Sequence, residues 1–198
     1  MRAWFRAIAK RMEGMSREQK IDYIRRYYWY HILIALAVLG LAVLLIRHIF
    51  FPGPRVLFQC AVVNQPIDYP RDGRISEECA AALGLKKGQA VYDSDYQISY
   101  GDVKLEGANE SSYEKFFFNI AAGVLDAVIM PESFYTYAAG MGVVFAQTEE
   151  IGPQTMEQLG LVAQKGPEDE AEPLLYGIVA DTGHGEQAEA FAEYAGIR

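Results

Sequence analysis

The chain has 198 residues, 51% of them hydrophobic and 22% charged, with a net charge of −8 at neutral pH. An acidic balance of this size repels phosphate backbones and excludes nucleic-acid binding. The two cysteines, Cys60 and Cys79, lack the Cys-x-x-Cys spacing of a zinc or redox motif.

At the amino end, Met1, Trp4, Phe5, Ile8, Met12 and Met15 fall within one sector of about 100° on a helical wheel, with Arg2, Arg6, Lys10 and Glu13 opposite. A basic amphipathic helix with Trp4 and Phe5 on its apolar face is suited to the headgroup plane of a lipid bilayer. Docking onto another protein is the competing reading. After Gly14, Ser16-Arg17-Glu18-Gln19 reads as a capping box that starts a second helix at Arg17, running on toward the apolar segment.

Residues Ile32–Ile46 are fifteen consecutive apolar residues without a charge. As a helix that run is ~22 Å long, short of a ~30 Å hydrocarbon core, but Tyr27–Phe51 reaches ~37 Å. Tyr28, Trp29, Tyr30, Phe50 and Phe51 then sit at the two membrane interfaces. A cleavable signal peptide fits poorly, because the leader is thirty-one residues long and the exit reads Phe51-Pro52-Gly53-Pro54. A buried core helix would need cover on every face, which the leader is too small to supply.

Eight basic residues against three acidic ones precede the segment, which predicts a cytoplasmic amino end. Subtracting that +5 from −8 leaves −13 for the rest of the chain, an acidic domain expected outside the cytoplasm at the cell membrane. The predicted organisation is a leader over 1–31, a transmembrane helix over 32–51, a linker over 52–55 and an extracytoplasmic domain over 56–198.

Pro52-Gly53-Pro54 ends the helix. Val56–Val63 is apolar on both faces and reads as a central strand. Asp72-Gly73 reads as a turn, followed by a short helix capped by Ser76-Glu77-Glu78 and stopped at Gly84. Gln89–Ile98 alternates, placing Ala90, Tyr92, Tyr96 and Ile98 on one face of a half-exposed strand. Asn109 precedes a helix carrying Tyr113, Phe116, Phe117 and Ile120, which ends at Gly123. A strand over Leu125–Met130, a helix over Glu132–Ala139 and the apolar Val143-Val144-Phe145 follow. Pro153 opens a short helix ending at Gly160, and Lys165–Pro173 reads as a solvated acidic loop. The last strand is Leu174–Ala180, and Thr182-Gly183-His184-Gly185 turns into a final helix carrying Ala188, Phe191, Ala192 and Ala195. Interleaved strands and helices predict an α/β domain with a mainly parallel or mixed sheet.

The run Ala121-Ala122-Gly123-Val124-Leu125-Asp126-Ala127-Val128-Ile129-Met130-Pro131-Glu132-Ser133-Phe134 resembles the helix, Gly-x-x-Asp strand and helix start of type II extracellular solute-binding proteins. The tail Tyr176-Gly177-Ile178-Val179-Ala180-Asp181-Thr182 with Ala188, Phe191 and Tyr194 resembles their late strand, turn and helix. The chain is also similar to small single-pass membrane proteins of Gram-positive type with a reduced solute-binding-like domain. A full binding protein closes two lobes on its ligand, whereas this domain has length for about one and a half at most.

In an open sheet a ligand sits at the carboxyl ends of the strands. The residues expected there are Asn64, Gln65, Glu132, Ser133, Asp181 and Thr182. Helix-start amides with the Ser133 or Thr182 hydroxyl suit a carboxylate or phosphate, while Glu132 and Asp181 favour a cationic group. Simple turn and capping roles are the competing reading.

No catalytic constellation, cofactor motif or metal set emerges: His31 and His48 border the apolar segment, and His184 stands by itself in a glycine turn. The carboxylates Asp93, Asp95, Asp102 and Glu106 match no calcium loop. Cys60 and Cys79 either form a bridge between the first strand and the first helix or remain two buried thiols. These features predict a non-catalytic, membrane-anchored binding module for a small solute or peptide. The alternative is an accessory subunit that contacts a membrane-protein partner without a ligand.

Overall fold

The computed structural model describes Lys10 and residues 12–51, 53–105, 110–166 and 170–198. The amphipathic leader helix with Trp4 and Phe5, together with Glu106 and Asn109, lies outside the described residues. Two units emerge, Met1–Gly53 and Pro54–Arg198.

In the first unit the capping box forms as the sequence predicts. The Gln19 N–H donates to Ser16 Oγ at 3.3 Å and the Ser16 N–H to Gln19 Oε1 at 3.0 Å, opening α1 (Arg17–Tyr27). The helix does not run unbroken into the apolar segment. Tyr28 leaves helical geometry with φ −123°, and α2 starts afresh over Trp29–Phe50. None of the 22 residues of α2 is buried.

The second unit is an α/β fold on a five-stranded mixed sheet. Its elements are β1 (Phe58–Val63), α3 (Tyr69–Ala82), β2 (Ala90–Tyr96), α4 (Glu110–Ala121), β3 (Ala127–Pro131), α5 (Glu132–Gly140), β4 (Phe145–Glu150), α6 (Pro153–Leu159), β5 (Gln164–Lys165), β6 (Ala171–Glu172), β7 (Leu174–Val179) and α7 (Gly185–Tyr194). The strand order is β2-β1-β3-β7-β4, with β5 and β6 forming a separate hairpin. Strands β2, β1 and β3 are parallel, and β7 runs antiparallel to both β3 and β4. Hence β7 alone is reversed.

Each face of the sheet buries its own core. One is built from Phe58, Cys60, Tyr92, Ile129 and Tyr176 under Ile75 and Cys79 of α3 and Phe191 of α7. The other joins Ala61, Val63, Tyr96, Val128 and Met130 to Phe116 of α4 and Phe134 of α5. β3 is covered on both faces, all five of its residues being buried, as a central strand must be. Gly177 opposite it has no side chain for a packing reason. A Cβ there would stand 2.7 Å from a ring carbon of Phe145 and 2.8 Å from Met130 Cε.

Two expectations about this core change. Ala90 and Tyr92 do not share a face with Tyr96 and Ile98. Pairing shifts from Ala61↔Asp93 to Val63↔Tyr96, so β2 carries one extra residue, and a single insertion inverts the facing of everything after it. Asp72-Gly73 is not a turn but lies inside α3, whose N-cap is Asp68, accepting the Arg71 N–H at 3.1 Å. The cysteines take the unbridged form: both are buried as free thiols. Burial pushes Cys79 up to about 12, and burial followed by the charge of Cys79 raises Cys60 well above the ordinary thiol range.

Candidate functional site at the two ends of the sheet

Because β7 is reversed, the six residues expected to gather at one end divide between two. Asn64 and Gln65 follow β1, and Glu132 and Ser133 follow β3, at the carboxyl end of the parallel strands. Asp181 and Thr182 follow β7 at the opposite end, where the Val179 N–H donates to Asp126 O at 3.0 Å ahead of β3. The expectation of one shared site is therefore corrected. Strand direction is a property of the pairing, and the apolar pattern of Leu174–Val179 reads the same either way round.

At the carboxyl end, the described parts of the segment between α6 and β7 lie across the strand ends and take up each expected residue. Gln65 is 1% exposed. Its side-chain amide reads one residue of backbone in both directions, Nε2 donating to Val162 O at 3.0 Å and Oε1 accepting the Val162 N–H at 2.7 Å. Gln164 donates its side-chain N–H to Asn64 O, and Asn64 exchanges two side-chain bonds with the Ile98 backbone. The Glu132 N–H donates to Pro173 O at 3.1 Å, while the Glu132 side chain is exposed. At the start of α5, Glu172 accepts the Ser133 N–H and the Ser133 hydroxyl, each at 3.0 Å. The Tyr100 hydroxyl lies 2.7 Å from Ser133 Oγ and donates to it, since the Ser133 proton goes to Glu172. Burial pushes Tyr100 above the ordinary phenol range, Ser133 lowers it and the Glu172 charge raises it again.

The acidic loop expected over 165–173 is thus a hairpin in its described parts, with Glu172 turned inward. Arg71 fastens its root, donating to Gly160 O and Pro66 O at 2.8 Å each, while pairing with the buried Asp72 at 3.1 Å. Asp72 in turn accepts the Ser94 N–H and hydroxyl. Ile67, Tyr69 and Val162 are exposed apolar side chains around this end.

At the opposite end, Asp126 is 1% exposed and accepts from three groups. Oδ2 takes the Gln59 N–H at 2.8 Å, and Oδ1 takes the Thr182 hydroxyl and stands 3.1 Å from His184 Nδ1. His184 therefore does not stand by itself in its glycine turn. A cavity of about 310 Å³ opens beside this cluster, lined by Arg55, Val56, Gln59, Gly123, Asp126 and His184 among others. Sequence reasoning missed Asp126 as a polar hub, although it stood inside the Gly-x-x-Asp run. The available signal was a carboxylate immediately before an uninterrupted apolar strand, where only donors from other elements can satisfy it.

Asp93 pairs with Lys115 at 2.9 Å and accepts the Asp95 N–H at 2.9 Å, and no group of three metal-ligating side chains gathers among the described residues. No family model, curated protein or solved structure matches the chain.

Proposed function

We propose that the chain is a single-pass protein of the cell membrane whose α/β unit lies outside the cytoplasm and works as a non-catalytic binding module for a small solute or peptide. The anchor reading rests on α2: 22 apolar-rich residues, ~33 Å as a helix, none of them buried. The basic flank ahead of α2, including Arg17, Lys20, Arg25 and Arg26, supports a cytoplasmic amino end.

The binding reading is carried by one observation. At the start of α5 a backbone amide and a hydroxyl, backed by Tyr100, converge on a carboxylate. That donor set suits the carboxylate of an amino acid or peptide. The test is a thermal-shift screen of the full chain in detergent against amino acids, short peptides, sugars, polyamines and phosphorylated metabolites. A shift of several degrees with carboxylate-bearing compounds is the expected result. A cooperative melt that none of them moves overturns solute binding.

The accessory-subunit reading gains from a second observation: the polar groups of Asn64, Gln65 and Ser133 are already satisfied within the chain. Co-purification of a stoichiometric membrane protein, with no small-molecule shift, is its signature. Topology is checked by single cysteines introduced at Ser16 and Ser111 and labelled from outside intact cells. Labelling at position 111 alone supports the proposed orientation, and labelling at position 16 overturns it.

A further inference from the structure

We propose that the carboxyl end of the sheet is a peptide-binding site occupied by the chain's own strap, residues 162–166 and 170–173, and that its outside ligand is an acidic peptide in hairpin form. This deepens the binding-module reading and rests on it. Three independent contacts describe how a peptide is read there. Gln65 takes the N–H and C=O of Val162, the pairing by which a fixed amide recognises extended backbone whatever its side chain. The Asn64 carbonyl takes a side-chain donor two residues further on, from Gln164. The Ser133 amide and hydroxyl then hold the carboxylate of Glu172.

The recognising groups and the recognised ones differ in their surroundings. Gln65 is buried, Asn64 is nearly so at 7% exposed, and Tyr100 behind Ser133 is 5% exposed, so the receiving side is built into the core. The strap offers Val162 at 47% exposed, and Gln164 and Glu172 are only partly covered. Leu161 at the root of the strap is buried in the core, and beyond it an occupant held by these bonds faces a side fixed by the fold, which is the arrangement of receptor and ligand. The chemistry selects one class of outside partner. It must present free backbone on one arm of a hairpin and a carboxylate on the returning arm, as the strap does by pairing Gln164 with Glu172, and the exposed Ile67 and Tyr69 flank the Gln65 position for an apolar side chain.

Tethering places the strap at an effective concentration on the order of millimolar, so a free peptide at micromolar concentration competes poorly until the strap is weakened. The experiment uses the full chain in detergent and a fluorescent peptide with the strap's own sequence, residues 162–173, read by anisotropy. Val162→Pro removes the N–H that Gln65 accepts, and Glu172→Ala removes the carboxylate. The doubly substituted chain is expected to bind the peptide about tenfold or more tightly than the wild type, because its own strap no longer competes. A second peptide carrying Glu172→Gln is expected to bind about fivefold or more weakly than the first, since a charge-assisted bond is lost.

A double variant that melts cooperatively yet takes up no peptide overturns the site, and equal binding of the two peptides overturns the acidic class. Should the double variant fail to fold, Glu172→Ala alone is measured, with the same order of affinities expected and the reverse order overturning the proposal. Peptide uptake with no response in the small-molecule screen supports the peptide site and refutes the solute reading. The opposite pair of results refutes the site and leaves solute binding standing.

Discussion

The two ends of the sheet are closed by different chemistry. At the amino end of the parallel strands a buried carboxylate, Asp126, gathers a backbone N–H from β1, a hydroxyl and an imidazole from the turn after β7. At the carboxyl end a strap from far along the chain is fastened at its root by Arg71 and held beyond it by neutral amides and one partly exposed carboxylate, that of Glu172. Removing a partner from a buried charge strands the others in a low dielectric, whereas groups near solvent regain water when a bond opens. The first end is therefore a permanent closure and, on the proposal above, the second an exchangeable one. Each end also places a non-glycine residue at positive φ, Asn64 at 58° and Asp181 at 60°, where short polar side chains are best tolerated.

The largest effect is expected from Asp126→Ala in the fragment 54–198, which has its own two-sided core. It leaves the Gln59 N–H and the Thr182 hydroxyl without their acceptor and is expected to lower unfolding free energy by about 3 kcal/mol or more in urea titration. A loss below about 1 kcal/mol would break the claim that this end is the permanent one. Gln65→Ala sharpens the contrast from the other side. It removes two bonds to Val162, whose polar groups can rehydrate, and a loss of about 2 kcal/mol is expected, smaller than that of Asp126→Ala.

An alkaline titration addresses the core that joins the two ends. Cys79 and Cys60 are raised by burial, as is Tyr92, whose hydroxyl has no partner among the described residues. In the unfolded chain the thiols ionise near 9.0. The folded state holds their protons longer, so this contribution is fully present below pH 9 and is lost as pH rises toward about 12. The melting temperature is expected to fall steadily between pH 9 and 11, and native thiols at pH 8 should resist alkylation. Rapid labelling at pH 8 would refute their burial. The smallest effect belongs to Glu172→Gln, which keeps a neutral acceptor on Ser133 and is expected to change stability by less than about 1 kcal/mol. A cost equal to that of Asp126→Ala would make the strap a structural element and end the distinction between the two ends.

Much of the local structure was legible because its causes are local. The Ser16–Gln19 capping box, the left-handed Gly160 that ends α6 and the wholly apolar β3 are each encoded within a few consecutive residues. Apart from the break at Tyr28, the features that were misread depend on partners distant in the chain. Asp72 looks like a turn residue until Ser94, twenty-two positions away, is seen to receive its carboxylate. Glu172 looks solvated until Ser133, thirty-nine positions away, is brought against it. His184 looks solitary until Asp126 is placed 3.1 Å from its ring nitrogen.

Sequence by itself determined the α/β class, the order of the helices and of strands β1, β2, β3 and β7, and the long apolar helix, because periodicity, caps and hydrophobic runs act along the chain. Only the tertiary structure decided that β7 runs backwards, that β2 changes face at a bulge, and that the expected ligand residues split into a buried charge cluster and a strapped edge. Direction and register are chosen by pairing between strands, and a buried polar group is intelligible only together with the distant group that satisfies it.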